Sequence, residues 1–444
     1  MDTVVPISDA GLKSNAYTQF TRSNELLARA QELIPLGTQT FSKAANNFVQ
    51  GVTPLFLDRG TGAHVWDVDG NKYVDYILGL MPNILGYCDP DVDEAVIDQV
   101  RKGATFSFAT DLELALAERL VRLIPGADMV RFGKNGSDAT TAAVRVARAA
   151  TGRDKVIVCG YHGWHDWYIG TTARDGGVPD AVKNLSFETV FNDASHLEGL
   201  IAADPTGFAA VILEPTGKTP ADPDYLRAVR NITARHGIIL IFDEIVTGFR
   251  VHMGGAQAYY NVVPDLSCFG KAMANGLPIS ALVGRRDLMK QLEDIFVSGT
   301  FGGEALSLAA SIATIDKLEN LEVPERLWRH GDILLKKANA IFADHGLADV
   351  IRFEGEGWWP RLAIGKIDVD PVLVTSLIRQ ELVGAGLLIG GGLNLCLDHM
   401  RDDVVRETCD AMTAAAGALQ VSLNAPDPEA YLRGERIRPT FSVR

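Results

Sequence analysis

A chain of 444 residues is longer than one hydrophobic core organises, and two or three domains are expected. Its 47% hydrophobic and 22% charged residues are those of a globular protein, not a disordered one. The net charge of −14 argues against nucleic acid or an anionic membrane as the main partner, while leaving room for a small anionic cofactor in a local pocket. Five cysteines (Cys88, Cys159, Cys268, Cys396, Cys409) are odd in number and scattered. They predict reduced thiols in place of a disulfide frame or zinc site, and no metal. The start lacks the pattern of a signal peptide and no apolar run reaches membrane-span length, so a soluble, cytoplasmic protein is expected.

Residues 1–20 are polar and irregular, expected to be disordered or to lie across a partner subunit. Residues 24–33 have helical spacing (Leu26, Leu27, Ala30, Leu33), and Ile34-Pro35-Leu36-Gly37 stops them. Short strands are predicted at 55–58 and 64–67, with a hairpin turn at Asp69-Gly70. Amphipathic helices follow at 92–102 and 112–123. From about residue 128 strand, turn and helix alternate. Strands are predicted at 129–132, 155–159, 209–213, 238–242, 266–269 and 280–283, with helices at 138–150, 223–236 and 287–293. Several of these strands are continuous apolar runs, as in a parallel sheet covered on both faces. The expected class is α/β, a large doubly wound, mostly parallel-sheet domain. Beyond residue 320 a helix, strands at 349–353, 361–364 and 393–397, and a helix at 402–419 predict a smaller α+β domain. The expected division is 1–70 as part of the small domain, 71–320 as the large cofactor-binding domain and 321–444 as the C-terminal small domain.

Ligands of open α/β sheets sit beyond the carboxyl ends of the strands. After 129–132 comes Gly133-Lys134-Asn135-Gly136-Ser137-Asp138, a phosphate seat at a helix N-terminus or simply a turn with Ser137 or Asp138 as N-cap. After 155–159 comes Gly160-Tyr161-His162-Gly163-Trp164-His165-Asp166-Trp167-Tyr168. That loop reads as an aromatic wall for a flat ring, as a core-packed loop, or as part of a metal site that nothing completes. Glu214-Pro215 follows the next strand. Asp243 ends an apolar run, where a carboxylate needs a partner: a protonated pyridine nitrogen, a salt bridge or a cap. Lys271 follows Leu266–Phe269 and Gly270. Partial burial would lower its pKa and make it an imine-forming amine, though a lone lysine there also reads as a surface residue. Ser298-Gly299-Thr300-Phe301-Gly302-Gly303 is a second glycine-rich loop. Phosphate seat, aromatic wall, carboxylate and lysine together call for pyridoxal 5'-phosphate.

Ile241-Phe242-Asp243-Glu244-Ile245-Val246-Thr247-Gly248-Phe249-Arg250 and the segment Pro264-Asp265-Leu266-Ser267-Cys268-Phe269-Gly270-Lys271 make the resemblance specific. The chain resembles class III pyridoxal-phosphate aminotransferases of the glutamate-1-semialdehyde aminomutase-like branch, with the type I aminotransferase fold, over roughly residues 25–444. The resemblance implies Lys271 as the cofactor-bonding lysine, Asp243 as partner of the pyridine nitrogen, Ile245 and Tyr161 on the two ring faces, and Asn135, Gly136 and Ser137 as the phosphate loop. It implies Glu214 close to cofactor and substrate. It further implies a homodimer in which Thr300 reaches the neighbouring subunit's phosphate.

Two departures shape the substrate expectation. The Gly-Val-Asn-Ser-Pro-Val-Arg type segment of true aminomutases is replaced by Gly37-Thr38-Gln39-Thr40-Phe41-Ser42-Lys43, without its arginine. The later Ser-Gly-Asn-Pro is replaced by Gly302-Gly303-Glu304-Ala305. Glu304 and His162 are expected to touch the substrate. The expected activity is transfer of an amino group from glutamate or glutamine to a carbonyl acceptor such as an oxo-sugar or oxo-aminoglycoside of antibiotic biosynthesis. An aminomutase, an epimerase and a non-catalytic cofactor sensor are the alternatives.

Overall fold

A computed structural model describes residues 19–438, so the stretch expected to be irregular, 1–20, lies almost wholly outside the described residues. The strands, in chain order, are β1 (Leu57–Thr61), β2 (His64–Asp67), β3 (Lys72–Asp75), β4 (Met129–Gly133), β5 (Lys155–Cys159), β6 (Ser186–Glu188), β7 (Phe208–Leu213), β8 (Ile239–Asp243), β9 (Leu266–Phe269), β10 (Ser280–Gly284), β11 (Ile351–Glu354), β12 (Arg361–Ile364) and β13 (Leu387–Leu388). β4 to β10 form one seven-stranded sheet in the order β4-β10-β9-β8-β7-β5-β6. β10 runs antiparallel to both its neighbours, and the other ladders are parallel. The α/β class expected from the sequence holds.

Composition explains this sheet. Every residue of β7, β9 and β10 is buried, which requires cover on both faces. On one face lies the helix Gly136–Thr151, whose Ala139, Ala142, Ala143 and Ala147 let it approach closely. On the other, Leu197, Ile201, Leu226 and Val229 from the helices Ala194–Ala203 and Pro223–His236 pack on Val211, Leu240 and Phe242. The second of these helices is punctuated from its sequence. Asp222 accepts from Asp224 N, Pro223 opens it, and Gly237 ends it at φ +60°.

A second sheet, β1-β2-β3-β13, joins distant parts of the chain, with Leu387 and Leu388 running parallel to Val74 and Asp75. The strand expected at 393–397 does not form. Its backbone donors go to three separate segments: Leu393 N to Pro360 O, Asn394 N to Tyr76 O and Leu397 N to Ile84 O. No single neighbour runs alongside it, so no ladder can build. β1 lies at Leu57–Thr61, later than 55–58. The helix expected at 287–293 splits into Arg286–Met289 and a 3-10 turn, Lys290–Glu293. Among the described residues no helix is long and apolar enough to cross a membrane.

Glu244 ties the end of β8 to the next helix, Gly255–Tyr259. Its fully buried carboxylate accepts from Gln257 N (2.8 Å), Ala256 N (2.8 Å) and the Thr247 hydroxyl. Burial outweighs these donors and raises its pKa to about 7. The folded state then holds the proton more tightly than the unfolded chain, so this group's share of stability falls as pH rises from the ordinary carboxyl range to about 7. Glu244→Gln turns an amide nitrogen toward one of the two N–H donors. A loss of about 1–3 kcal/mol is expected, together with disappearance of this part of the pH dependence. Equilibrium unfolding at pH 5 and pH 7.5 checks both.

Candidate active site

Parallel pairing aligns the strand ends. Cys159 pairs with Leu213, Leu213 with Phe242, and Asp243 with Cys268. The residues that follow, Gly160-Tyr161, Glu214, Asp243 and Gly270-Lys271, therefore emerge along one edge of the sheet. β4 delivers Asn135-Gly136-Ser137 to the same edge.

Lys271 opens a 3-10 turn, Lys271–Ala274, at φ +40°, a region few non-glycine residues occupy. The surroundings hold it there. Asn275, also left-handed, accepts from Leu85 N (2.9 Å) and donates to Gly86 O (2.9 Å). A Cβ on Gly270 would meet Ile245 Cδ1 at 3.2 Å. Burial lowers the Lys271 pKa, Glu214 and Asp243 oppose the shift, and Arg250 assists it. No described residue hydrogen-bonds its Nζ.

Asp243 is 4% exposed. Its Oδ1 accepts from Ile245 N (3.1 Å), and His162 Nδ1 donates to its Oδ2 (2.8 Å). His162 is buried beneath this carboxylate, edge-on to Tyr168 (5.3 Å), with Thr140 Oγ1 donating to its carbonyl (2.9 Å). His162, expected at the substrate, is thus a side chain sealed behind Asp243 and bonded to that carboxylate. Glu214 Oε2 accepts from Tyr161 N (3.1 Å). The approach demands glycine at position 160, where φ is +112° and a Cβ would come within 2.5 Å of Oε2. Burial and then Asp243 push the Glu214 pKa up. Tyr161 stands half exposed, edge-on to Tyr168 at 5.6 Å. Burial, then Asp243 and Glu214, raise its hydroxyl.

Asn135 is the N-cap of the helix Gly136–Thr151. Its Oδ1 accepts from Asp138 N (3.2 Å) while Asp138 accepts from Asn135 N (3.1 Å). Ser137 Oγ accepts from Trp164 N (3.3 Å), and a Cβ on Gly163 would meet it at 2.2 Å. The aromatic loop is thus clamped on the helix start. Ile245 lies in contact range of a Cβ on Gly136 (3.4 Å) as well as of one on Gly270. Thr300 is exposed on the loop 296–303 and lines an open cleft of about 720 Å³ with Gly133 and Lys134.

Glu304 is partly buried at the start of the next helix. It caps the helix Ala305–Asn320 through Leu306 N (2.7 Å) and Ser307 N (3.2 Å), and pairs with Lys134 Nζ (2.9 Å). These partners hold its pKa low and take up the charge that was expected to meet a substrate. Arg250 closes the segment Ile241–Arg250. It is fully buried, bonding Leu395 O (2.7 Å) and Met81 O (2.8 Å), and burial brings its pKa down to about 10.

The sequence model of the family described as Aminotransferase class-III matches residues 46–357. The chain belongs to the class-III aminotransferases. It is 38% identical over 356 residues to a 3-aminobutyryl-CoA aminotransferase of Cloacimonas acidaminovorans, covering 78% of this chain and 84% of that protein. To a glutamate-1-semialdehyde 2,1-aminomutase of Desulforamulus reducens it is 39% identical over 334 residues, 71% and 77% of the two chains. Two solved structures share the fold. The FumI protein of Sphingopyxis sp. MTA144 in a PLP form has a TM-score of 0.85 at 30% identity, covering 93% of this chain and 100% of that one. An omega-transaminase from Sphaerobacter thermophilus has a TM-score of 0.81 at 28%, covering 90% and 98%. The cofactor of this family is pyridoxal phosphate.

Removing the donor behind Asp243 tests the buried pair. His162→Phe is expected to weaken cofactor retention about tenfold, about 1.4 kcal/mol. His162→Asn, which keeps a donor, should lose less. Visible absorbance remaining after dialysis measures both.

Proposed function

We propose that this chain is an intermolecular aminotransferase, moving an amino group from an amino acid, glutamate or glutamine, to a carbonyl acceptor, an oxo-sugar or oxo-aminoglycoside. The observation that carries the reading is Lys271: a sheltered amine with lowered pKa and no hydrogen-bond partner among the described residues, beside the carboxylates of Asp243 and Glu214. The residues present fit pyridoxal 5'-phosphate. Asp243 has both oxygens anchored yet keeps lone pairs for a ring N–H. The first N–H groups of the helix Gly136–Thr151 have no partner within it, which suits a phosphate.

When bound, the cofactor supplies an aldehyde that exchanges amines and a ring that delocalises the electron pair left by a departing proton. Asp243, steadied by His162, would keep the ring nitrogen protonated. Ile245 and Tyr161 would hold the two faces, and Asn135, Gly136 and Ser137 the phosphate. Thr300 would reach the phosphate of a neighbouring subunit in a homodimer. Lys271 Nζ would hold the aldehyde and, once displaced by the donor's amine, would take the proton from the donor's amine-bearing carbon and deliver it to the cofactor's former aldehyde carbon, running the reverse way with the acceptor. Glu214 would border the ring and substrate. Trp164, 66% exposed on the same loop, offers an aromatic face to the C–H face of a sugar ring, which supports the acceptor class.

The holoenzyme should pass to the aminated cofactor form on addition of glutamate or glutamine, and return on addition of an oxo-sugar. Lys271→Ala should abolish the visible band of the protein-bonded cofactor and both half-reactions, a drop of at least about 1,000-fold. A fully loaded wild-type protein without that band would overturn the reading. The names of the aminomutase relatives favour a second reading, an intramolecular aminomutase. Glutamate-1-semialdehyde supplied without an acceptor separates the two. The transaminase leaves it largely unconverted, and efficient isomerisation would favour the aminomutase.

A further inference from the structure

Arg250 is a fully buried cation, and no acid among the described residues pairs with it. The groups near it bring no negative charge. Burial raises the Cys396 thiol to about 12, and His399 is a buried ring whose Nδ1 accepts from Cys396 N (3.0 Å). A guanidinium held this way is costly unless its N–H groups are used. Two of them are: Nη1 donates to Leu395 O (2.7 Å) and Nη2 to Met81 O (2.8 Å), while Nε has no partner among the described residues. The two carbonyls belong to segments far apart in the chain.

Met81 closes a run of four residues at positive φ: Leu78 (+49°), Gly79 (+62°), Leu80 (+77°) and Met81 (+81°). Three of them carry side chains that disfavour this region, and such a run persists only where its neighbours hold it. Asn83 Nδ2 donates to Leu78 O (3.3 Å), and Arg250 takes the carbonyl at the other end. Asn394, beside Leu395, donates from N to Tyr76 O (3.1 Å) and from Nδ2 to Ile77 O (2.8 Å). The same loop, 76–88, clasps the turn opened by Lys271. Leu85 N donates to Asn275 Oδ1 (2.9 Å), Asn275 Nδ2 donates to Gly86 O (2.9 Å), and a Cβ on Gly276 would come within 2.6 Å of Asn83 Oδ1. Leu78, Ile84 and Leu85 share one core with Ala272, Met273 and Ala274. Lys271 and Asn275 are left-handed as well, at φ +40° and +43°. A strained loop thus grips a strained turn, and Arg250 ties that loop to the segment 393–397.

We propose that Arg250 is a positioning residue for Lys271, holding the loop 76–88 on the lysine turn and keeping a fixed positive charge near the amine. Electrostatics agrees with the geometry. Burial lowers the Lys271 pKa, Glu214 and Asp243 oppose this, and Arg250 assists it. Removing the guanidinium takes away a charge that disfavours the proton, and a slackened loop lets water reach the nitrogen. Both raise the pH at which that nitrogen becomes neutral.

The test is a pH titration of the holoenzyme, followed by the visible band, whose colour changes when the Lys271 nitrogen bonded to the cofactor gives up its proton. Arg250→Met is expected to raise the midpoint by at least about 0.5 pH unit, about threefold in proton affinity. Arg250→Lys keeps the charge but reaches one carbonyl in place of two, and its midpoint should rise less. Asn275→Gly keeps the left-handed backbone and cuts the loop from the turn, so the midpoint should rise with Arg250 intact. A purely structural arginine would lower the melting temperature on substitution and leave the midpoint where it was. An unmoved midpoint in Arg250→Met, or in Asn275→Gly, overturns the proposal, and the second variant decides should the first fail to fold. The readout rests on Lys271 bonding the cofactor, as read above. A loaded wild type without the band refutes that reading and this one with it, whereas a band whose midpoint ignores the variants refutes this one alone.

Discussion

At the carboxyl edge of the large sheet, Asp243 ends a strand whose other buried residues are apolar, and there is little water to solvate it. A lone carboxylate in such a place is unfavourable by several kcal/mol. Everything around it answers that constraint. His162 is drawn fully inside to donate to one oxygen, and Ile245 N turns back to the other. The loop that carries His162 is in turn clamped to the helix start through Ser137 and Thr140. Tyr161, next to the histidine, takes its place from the same clamp, and its N–H fixes Glu214. Lys271 then sits at the end of the adjoining strand, where the two acids soften the effect of its burial without a direct bond. The row of functional groups is one connected solution to the burial of a single charge.

Apolar runs made most of the sheet legible, because strands covered on both faces admit few polar residues. β7 and β9 show this. β6 escaped notice since Ser186-Phe187-Glu188 is a three-residue edge strand with a polar face. The run at 393–397 is apolar for a different reason: several of its side chains fill a core where its backbone meets three other segments. Hydrophobicity records burial, and only neighbours record pairing.

The site divides along the same line. Residues placed where their own strand ends, Asp243 and Lys271, stand out in the sequence because the strand fixes their position. The direction of the His162 and Glu304 side chains was not legible, since which way a loop side chain turns depends on groups far along the chain, Asp243 for one and Lys134 for the other. Arg250 had no local signature of its surroundings. Its distinction is the lack of a compensating charge among the described residues, which becomes visible only when every neighbouring acid has been accounted for.

The pairing of β3 with β13 also dictates an order of assembly. During synthesis β1, β2 and β3 emerge early with one edge of their small sheet bare, and about 310 further residues are made before Leu387 and Leu388 can close it. An unpaired edge held open that long is a template for wrong partners, and contacts of such separation are slow to form. Two residues suffice to seal it. Completing this small sheet therefore waits on a very short strand made late, and that delay prolongs the nascent chain's exposure to aggregation.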